Sequence, residues 1–161
     1  MCGIAGIFSQ RPVASELYDS IIHLQHRGQD AAGIMTYDKR MHKEKGMGLA
    51  KEVFNKENLQ LLKGNIGISH NRYPTHGGFS HGEVQPFWTS VPYGIALAHN
   101  GNLTNYEDLA KEVTKEETRY LNTTSDSEVL LHLFADHLHQ DAPPQNSEDF
   151  FNLLCEAVTS I

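Results

Sequence analysis

The N-terminus constrains this chain more than any other stretch, because Cys2 follows Met1 directly and opens an apolar segment that runs to Phe8. Residues 2–8 have no polar face, which predicts a strand that is covered on both sides. Cys2 is small, so we expect Met1 to be removed during maturation. Cys2 would then carry both a thiol and a free α-amine on one residue. One interpretation is a nucleophile with its own base; the other is a small buried cysteine in a strand.

Length and charge narrow the function classes. The chain has 161 residues, which suits one domain with a single core. Its formal net charge is −7 and its basic residues are scattered, which argues against nucleic-acid binding and favours a small-molecule substrate. No apolar stretch reaches the roughly 18 residues of a membrane helix, and no secretory signal is evident, so we expect a cytoplasmic protein without membrane association. The two cysteines, Cys2 and Cys155, lie at opposite ends and predict neither a disulfide framework nor a zinc site.

Apolar periodicity predicts most of the secondary structure. Helical spacing over residues 13–24 predicts an amphipathic helix, and a short helix is expected over residues 51–63. The charged stretch 38–45 predicts an exposed hairpin turn. Further strands are predicted from apolar runs over residues 33–37, 65–72 and 94–99.

Two capping-box patterns mark the helices of the second half. Thr104 with Glu107 and Ser125 with Glu128 have the spacing at which two side chains cap one helix start. A last amphipathic helix is predicted from Ser147.

Polar groups at the ends of these elements suit acyl transfer from an amide. Asn100-Gly101 is a common hairpin signal, but a helix start follows it, which leaves the Asn100 amide and the Gly101 N–H to stabilise a negative oxygen. Arg72 can hold a carboxylate through two parallel hydrogen bonds. Asp126 can pair with an ammonium group; alternatively, it is simply a first-turn carboxylate that the helix dipole stabilises. A substrate with a carboxamide, a carboxylate and an ammonium group is glutamine or asparagine.

Five motifs together resemble those of a known family. They are Cys2-Gly3-Ile4, Leu24-Gln25-His26-Arg27-Gly28-Gln29-Asp30, Arg72-Tyr73-Pro74-Thr75, Ala98-His99-Asn100-Gly101-Asn102-Leu103 and Thr123-Thr124-Ser125-Asp126-Ser127-Glu128. Over essentially all 161 residues the chain resembles the glutaminase domain of the class II glutamine amidotransferases, which are N-terminal-nucleophile hydrolases. Gln29 and Tyr73 resemble the purine-synthesis branch of that class, whereas His76 resembles the glucosamine-phosphate branch.

The resemblance implies an α+β fold, namely a four-layer αββα sandwich in which two antiparallel sheets lie between helical layers. It implies that Cys2 is the nucleophile after Met1 is removed. Asn100 and Gly101 would form the oxyanion hole. Arg72 and Asp126 would recognise the carboxylate and the ammonium group of glutamine.

The resemblance also implies a closing loop and a larger protein. The loop 73–83 would close over bound glutamine, and further substrate-binding residues would be Thr75, His76, Arg27 and Gly28. Residues 1–161 are expected to be a glutaminase domain truncated at its C-terminus, without the phosphoribosyltransferase domain that would use its ammonia. No cofactor is expected in this segment; Mg²⁺ and phosphoribosyl pyrophosphate would bind the absent domain. The full-length protein is expected to be a homo-oligomer.

Three alternatives remain open from the sequence. The segment can be the glutaminase domain of another class II enzyme, such as glucosamine-6-phosphate synthase. It can be a catalytically silent fragment that still binds glutamine. A zinc site through His70, His76 and His81 is a weaker option, because their spacing matches no common ligand pattern.

Overall fold

The computed structural model describes residues 1–73, 80–115, 120–139 and 143–160. The strands are β1 (Gly3–Phe8), β2 (Ala31–Asp38), β3 (Arg40–Met47), β4 (Ile66–Arg72), β5 (Phe87–Thr89) and β6 (Ile95–Leu97). The helices are α1 (Ala14–His23), α2 (Ala50–Val53), α3 (Lys56–Leu61), α4 (Tyr106–Thr114), α5 (Asp126–Leu138) and α6 (Ser147–Ser160). Two 3₁₀ turns cover Gln25–Arg27 and His81–Glu83. The chain is therefore α+β.

Four strands form an antiparallel sheet in the order β1-β4-β2-β3. The strand β4 lies between β1 and β2, and Gly3 pairs with Asn71 in the first of these ladders. Because β1 and β4 run in opposite directions, the start of β1 lies beside the end of β4. Cys2 and Arg72 are brought together by this register, although 69 residues separate them in the sequence.

The helix α1 covers one face of this sheet. Its apolar side, with Leu17 and Ile21, shares a buried cluster with Ala32 and Ile34 of β2. Helix and sheet approach closely at Gly67, where a Cβ atom would lie 2.7 Å from Leu17 Cδ1. The amphipathic helix predicted over 13–24 is confirmed, and its burial stabilises the sheet that carries Cys2.

A second, two-stranded antiparallel sheet is formed by β5 and β6. The helix α5 packs against both of its strands and also against α4 and α6. The two sheets meet where a side chain at Gly33 of β2 would overlap the carbonyl oxygen of Gln85, just before β5. The ends of both sheets thus contribute to one region of the molecule.

The prediction of a turn over residues 38–45 is wrong. These residues belong mostly to β3, and the turn is limited to the neighbourhood of Lys39, whose φ is 56°. The strand β3 lies at the edge of its sheet, where charged side chains are common because they discourage pairing with other chains. Lys43 of this strand also lies over the Trp88 ring, 4.8 Å from its centroid.

The helix boundaries differ from the prediction at three places. Residues 51–63 form two helices, because the Asn55 side chain accepts a hydrogen bond from Asn58 N at 2.8 Å and starts a new helix. Ser125 caps α5, but Glu128 does not close the predicted capping box and bonds to residues 122–123 instead. The helix α4 has no side-chain cap, so the box predicted at Thr104 is absent.

Within the described ranges, every helix falls short of the length and hydrophobicity that crossing a membrane requires.

Candidate active site

One cavity of about 320 Å³ brings four of the predicted site residues together. Cys2, Arg72, Gly101 and Asp126 all line it. They come from the start of β1, the end of β4, the segment after β6 and the first turn of α5. The volume is near the lower end of the about 300–1,000 Å³ found for small-molecule sites, which suits a ligand as small as an amino acid.

The backbone of Cys2 is held by two side chains from distant parts of the chain. The carbonyl oxygen of Cys2 accepts hydrogen bonds from Arg27 Nε and from Asn100 Nδ2, each at 3.0 Å. Its sulfur lies 3.4 Å from Tyr73 N, which donates to it. Met1 is 76% exposed and is not among the residues that line the cavity. The position of the thiol is therefore fixed by contacts that do not involve Met1.

Asn100 and Gly101 follow β6 and face the start of β1. The Asn100 side-chain amide has two N–H groups, and one of them is used on the Cys2 carbonyl. Asn100 itself lies beside the cavity rather than among the residues that line it. A Cβ atom at Gly101 would lie 2.5 Å from His99 Nε2, so a larger residue here would displace the His99 ring. Glycine at this position therefore lets the His99 ring pack against the segment that lines the cavity.

A buried polar network holds this segment against α5. His99 N donates to Gln85 Oε1 at 2.7 Å, and Gln85 Nε2 donates to Ser127 Oγ at 3.0 Å. His99 Nδ1 lies 3.3 Å from the same hydroxyl. Sequence reasoning missed Gln85 and Ser127; the available signal was a glutamine inside the apolar run 84–88, since a buried amide requires partners.

Asp126 is the first residue of α5, and its carboxylate is tied to the segment after Gly101. Its Oδ2 accepts a hydrogen bond from Leu103 N at 2.9 Å, and its Oδ1 accepts one from Ser127 Oγ at 3.2 Å. His99 Nδ1 lies 3.9 Å from Oδ1. The helix dipole favours a carboxylate here, as expected from the sequence. The same carboxylate lines the cavity and can face a cation there.

Arg72 enters the cavity from the end of β4 and lies 3.9 Å from the Glu83 carboxylate, measured from Nη2 to Oε2. Arg27 and Gly28 lie behind Cys2 and Arg72 rather than among the residues that line the cavity. A Cβ atom at Gly28 would lie 2.7 Å from the carbonyl carbon of Arg72, so glycine allows this close approach. Thr75 and His76, with the rest of residues 74–79, lie outside the described residues.

The described part of the chain gives no support for a zinc site at His70, His76 and His81. His70 is buried in β4 and neither ring nitrogen has a hydrogen-bond partner in the described part of the chain. His76 lies outside that part. Among the described residues, no three His, Cys, Asp or Glu side chains are grouped so that they can hold a metal ion.

The pKa of His70 is lowered from its ordinary 6.5 to about 4, mainly because burial penalises the charged ring. The backbone of His99 lies close enough to oppose this shift, although it forms no hydrogen bond of normal geometry with the ring. The positive charge of Arg72 lowers the pKa further. The folded chain therefore holds His70 neutral at pH values where the unfolded chain already protonates it. The contribution of His70 to the free energy of unfolding is therefore fully present above pH 6.5 and is lost as the pH falls to about 4.

We expect the free energy of unfolding to decrease by up to about 3 kcal/mol over this interval, since each pKa unit corresponds to about 1.4 kcal/mol. The measurement is urea unfolding at a series of pH values between 7 and 4. His70→Gln should remove most of this dependence, whereas His139→Gln, at an exposed position, should retain it. An equal slope in His70→Gln and the unchanged protein would contradict the assignment to His70.

The chain is similar to known proteins over most of its length. Residues 70–154 match a family model described as a glutamine amidotransferase domain. The chain is 54% identical over 139 residues to an amidophosphoribosyltransferase of Pseudomonas aeruginosa and 53% identical over 140 residues to one of Escherichia coli. Each alignment covers 86% of this chain but only 28% of the relative.

A solved structure gives the same likeness. The glutamine phosphoribosylpyrophosphate amidotransferase of B. subtilis, complexed with ADP and GMP, is 31% identical to this chain and superposes with a TM-score of 0.79. The match covers 99% of this chain and 33% of that chain. The chain thus spans about a third or less of the proteins that it matches.

Proposed function

Because this chain belongs to the glutamine amidotransferase domain family, we propose that it hydrolyses the side-chain amide of glutamine through a thioester on Cys2 and so releases ammonia. The observation that carries this proposal is that Cys2, Gly101, Arg72 and Asp126 all line one cavity. Removal of Met1 completes the site, because the freed α-amine of Cys2 can then act as the base.

In the first half of the reaction, the Cys2 sulfur attacks the amide carbon of glutamine while the α-amine of Cys2 takes the thiol proton. A C–S bond forms, and the amide oxygen becomes negative. The second N–H of the Asn100 amide and the N–H of Gly101 donate to this oxygen. The C–N bond then breaks as the leaving nitrogen receives the proton from the α-amine. Ammonia leaves, and the glutamyl group remains as a thioester on Cys2.

In the second half, a water molecule attacks the thioester carbon and the α-amine accepts its proton. The same two donors stabilise the second negative oxygen. The C–S bond breaks, the sulfur recovers a proton, and glutamate is released. The Arg27 and Asn100 bonds to the Cys2 carbonyl keep the nucleophile in place throughout, because they do not involve the reacting atoms.

Recognition of the amino-acid head group is assigned to two charged residues that line the cavity. Arg72 binds the α-carboxylate, for which its planar guanidinium has matching donors. Asp126 binds the α-ammonium group, and its carboxylate is already oriented by Leu103 N and Ser127 Oγ. Thr75, His76 and the loop 73–83 would cover the bound substrate.

The proposal for the whole protein is an amidophosphoribosyltransferase, the activity named for the relatives. This chain would be its glutaminase part, and ammonia would react with phosphoribosyl pyrophosphate in a phosphoribosyltransferase part that uses Mg²⁺. The product would be phosphoribosylamine for purine synthesis. A homo-oligomer in the cytoplasm and the complete four-layer αββα arrangement of this domain belong to the same proposal.

A glutamine-like electrophile tests the glutaminase function. 6-Diazo-5-oxo-L-norleucine carries the head group of glutamine and should add once to the chain, with the adduct located on Cys2 by peptide mass analysis. Cys155 is the control within the same molecule, because it is exposed and lies in α6. An adduct on Cys155 alone would overturn the proposal. Glutamine binding without ammonia release would instead identify a catalytically silent module.

A further inference from the structure

Glu83 is a buried carboxylate that the proposed reaction does not use. It ends the 3₁₀ turn His81–Glu83, and only 5% of the residue is exposed. A carboxylate removed from water in this way requires charged or hydrogen-bonding partners, since its desolvation is otherwise unfavourable. The partners of Glu83 are therefore informative.

The two oxygens of Glu83 face two different segments of the site. Oε1 accepts hydrogen bonds from Thr124 N at 3.0 Å and from Thr124 Oγ1 at 3.1 Å. Oε2 lies 3.9 Å from Arg72 Nη2, a distance at which the attraction is electrostatic rather than a direct hydrogen bond. The Arg72 side chain is 12% exposed, so water screens this attraction only weakly.

These contacts join the two charges that would bind the amino-acid head group. Arg72 ends β4, and Thr124 lies two residues before Asp126 at the start of α5. The turn itself packs on the same loop, because a Cβ atom at Gly82 would lie 3.1 Å from Thr123 Cγ2. One carboxylate thus connects two segments that are otherwise more than 50 residues apart in the chain.

We propose that Glu83 is a positioning residue that sets the separation and orientation of Arg72 and Asp126, and so determines that the site accepts the head group of an α-amino acid. This inference rests on the proposed function. Glu83 does not touch the reacting atoms; it holds the Arg72 guanidinium from one side. Loss of its charge should affect ligands that carry the head group and spare those that lack it.

Two electrophiles separate these effects. 6-Diazo-5-oxo-L-norleucine needs the head-group site to reach Cys2, whereas iodoacetamide alkylates the same thiol without it. Glu83→Gln removes the charge opposite Arg72 and keeps an oxygen for Thr124. We expect the ratio of the two alkylation rates at Cys2 to fall at least about tenfold, as for one misaligned hydrogen bond to a charged group. The KM for glutamine should rise more than kcat falls.

Glu128→Gln is the matched control. Glu128 is equally buried and accepts hydrogen bonds from Asn122 and Thr123 in the same loop, but the basic side chain 4.0 Å from its carboxylate is His132 rather than Arg72. This variant should lower thermal stability and leave the rate ratio unchanged. If Glu83→Gln does not fold, as judged by circular dichroism, Thr124→Val removes one donor to Glu83 at nearly constant shape and should lower the ratio by a smaller factor.

The outcomes distinguish the two proposals. The role of Glu83 would be overturned if the ratio of the two alkylation rates is unchanged in Glu83→Gln, or in Thr124→Val if Glu83→Gln does not fold. The glutaminase function would be unaffected by that result. An equal fall in Glu128→Gln would overturn the role of Glu83 too, because loosening of the loop would then explain the effect. If the unchanged protein reacts with iodoacetamide but never with the glutamine analogue, the proposed function fails and the role of Glu83 fails with it.

Discussion

Protein that retains a residue before Cys2 is expected to hydrolyse glutamine about 100- to 10,000-fold more slowly than protein that begins at Cys2, the range that general-base catalysis contributes. In the longer form the Cys2 nitrogen belongs to a peptide bond and cannot accept a proton. In the shorter form it is an amine with an ordinary pKa of about 7.7–8.0, which suits a base at neutral pH. Met1 is largely exposed and is not among the residues that line the cavity, so its presence should remove the base without filling the site.

The comparison requires two forms of one preparation. A cleavable peptide fused directly before Cys2 keeps the amine blocked until a protease removes it, and intact mass reports the fraction processed. Ammonia release is then measured before and after cleavage. Iodoacetamide should label Cys2 in both forms, which shows that the thiol remains accessible. Equal glutaminase rates in the two forms would mean that another group is the base.

Asn100→Asp is expected to lower kcat for glutamine hydrolysis about 100- to 1,000-fold, as for removal of one oxyanion donor. The replacement has nearly the same shape, but a carboxylate has no N–H to donate. It also places a negative charge beside the oxygen that becomes negative and gives up the hydrogen bond to the Cys2 carbonyl. KM should change little, because the interaction with this oxygen strengthens in the transition state.

Asn105→Asp is the matched control for this experiment. It introduces the same charge five residues later, at the exposed start of α4, where a carboxylate is favoured by the helix dipole. Its kcat should stay close to that of the unchanged protein. A large rise in KM with an unchanged kcat in Asn100→Asp would assign Asn100 to substrate binding rather than to the oxyanion hole.

Much of the fold could be predicted from local patterns. The strand that starts at Cys2, the helix over 13–24 and the helix that Ser125 caps were all expected from apolar spacing and capping residues. The strand β3 was missed because its charged residues are typical of a solvent-exposed turn, and only its place at the sheet edge explains them. The short strand β5 was missed because its three residues give too little periodicity.

Some residues of the candidate site could be predicted from the sequence and others could not. The chemistry of Cys2, Arg72, Asn100-Gly101 and Asp126 follows from residue type and from their places at the ends of elements. Thr75 and His76 stay predictions, and so do the roles of Arg27 and Gly28, which the fold places behind the nucleophile. Glu83 and Gln85 gave no signal strong enough to single them out, because a polar residue in a short loop or run is ordinary until its burial is known.

The sequence by itself determined the reactive groups and the local elements that carry them, because a side chain's chemistry and the period of an apolar pattern are properties of short segments. Only the tertiary structure decided that Cys2 lies beside Arg72, through the antiparallel register of β1 and β4. It also decided that Glu83 connects Arg72 to the loop before Asp126. Strand register and the burial of a carboxylate depend on residues far apart in the chain, so no local pattern contains them.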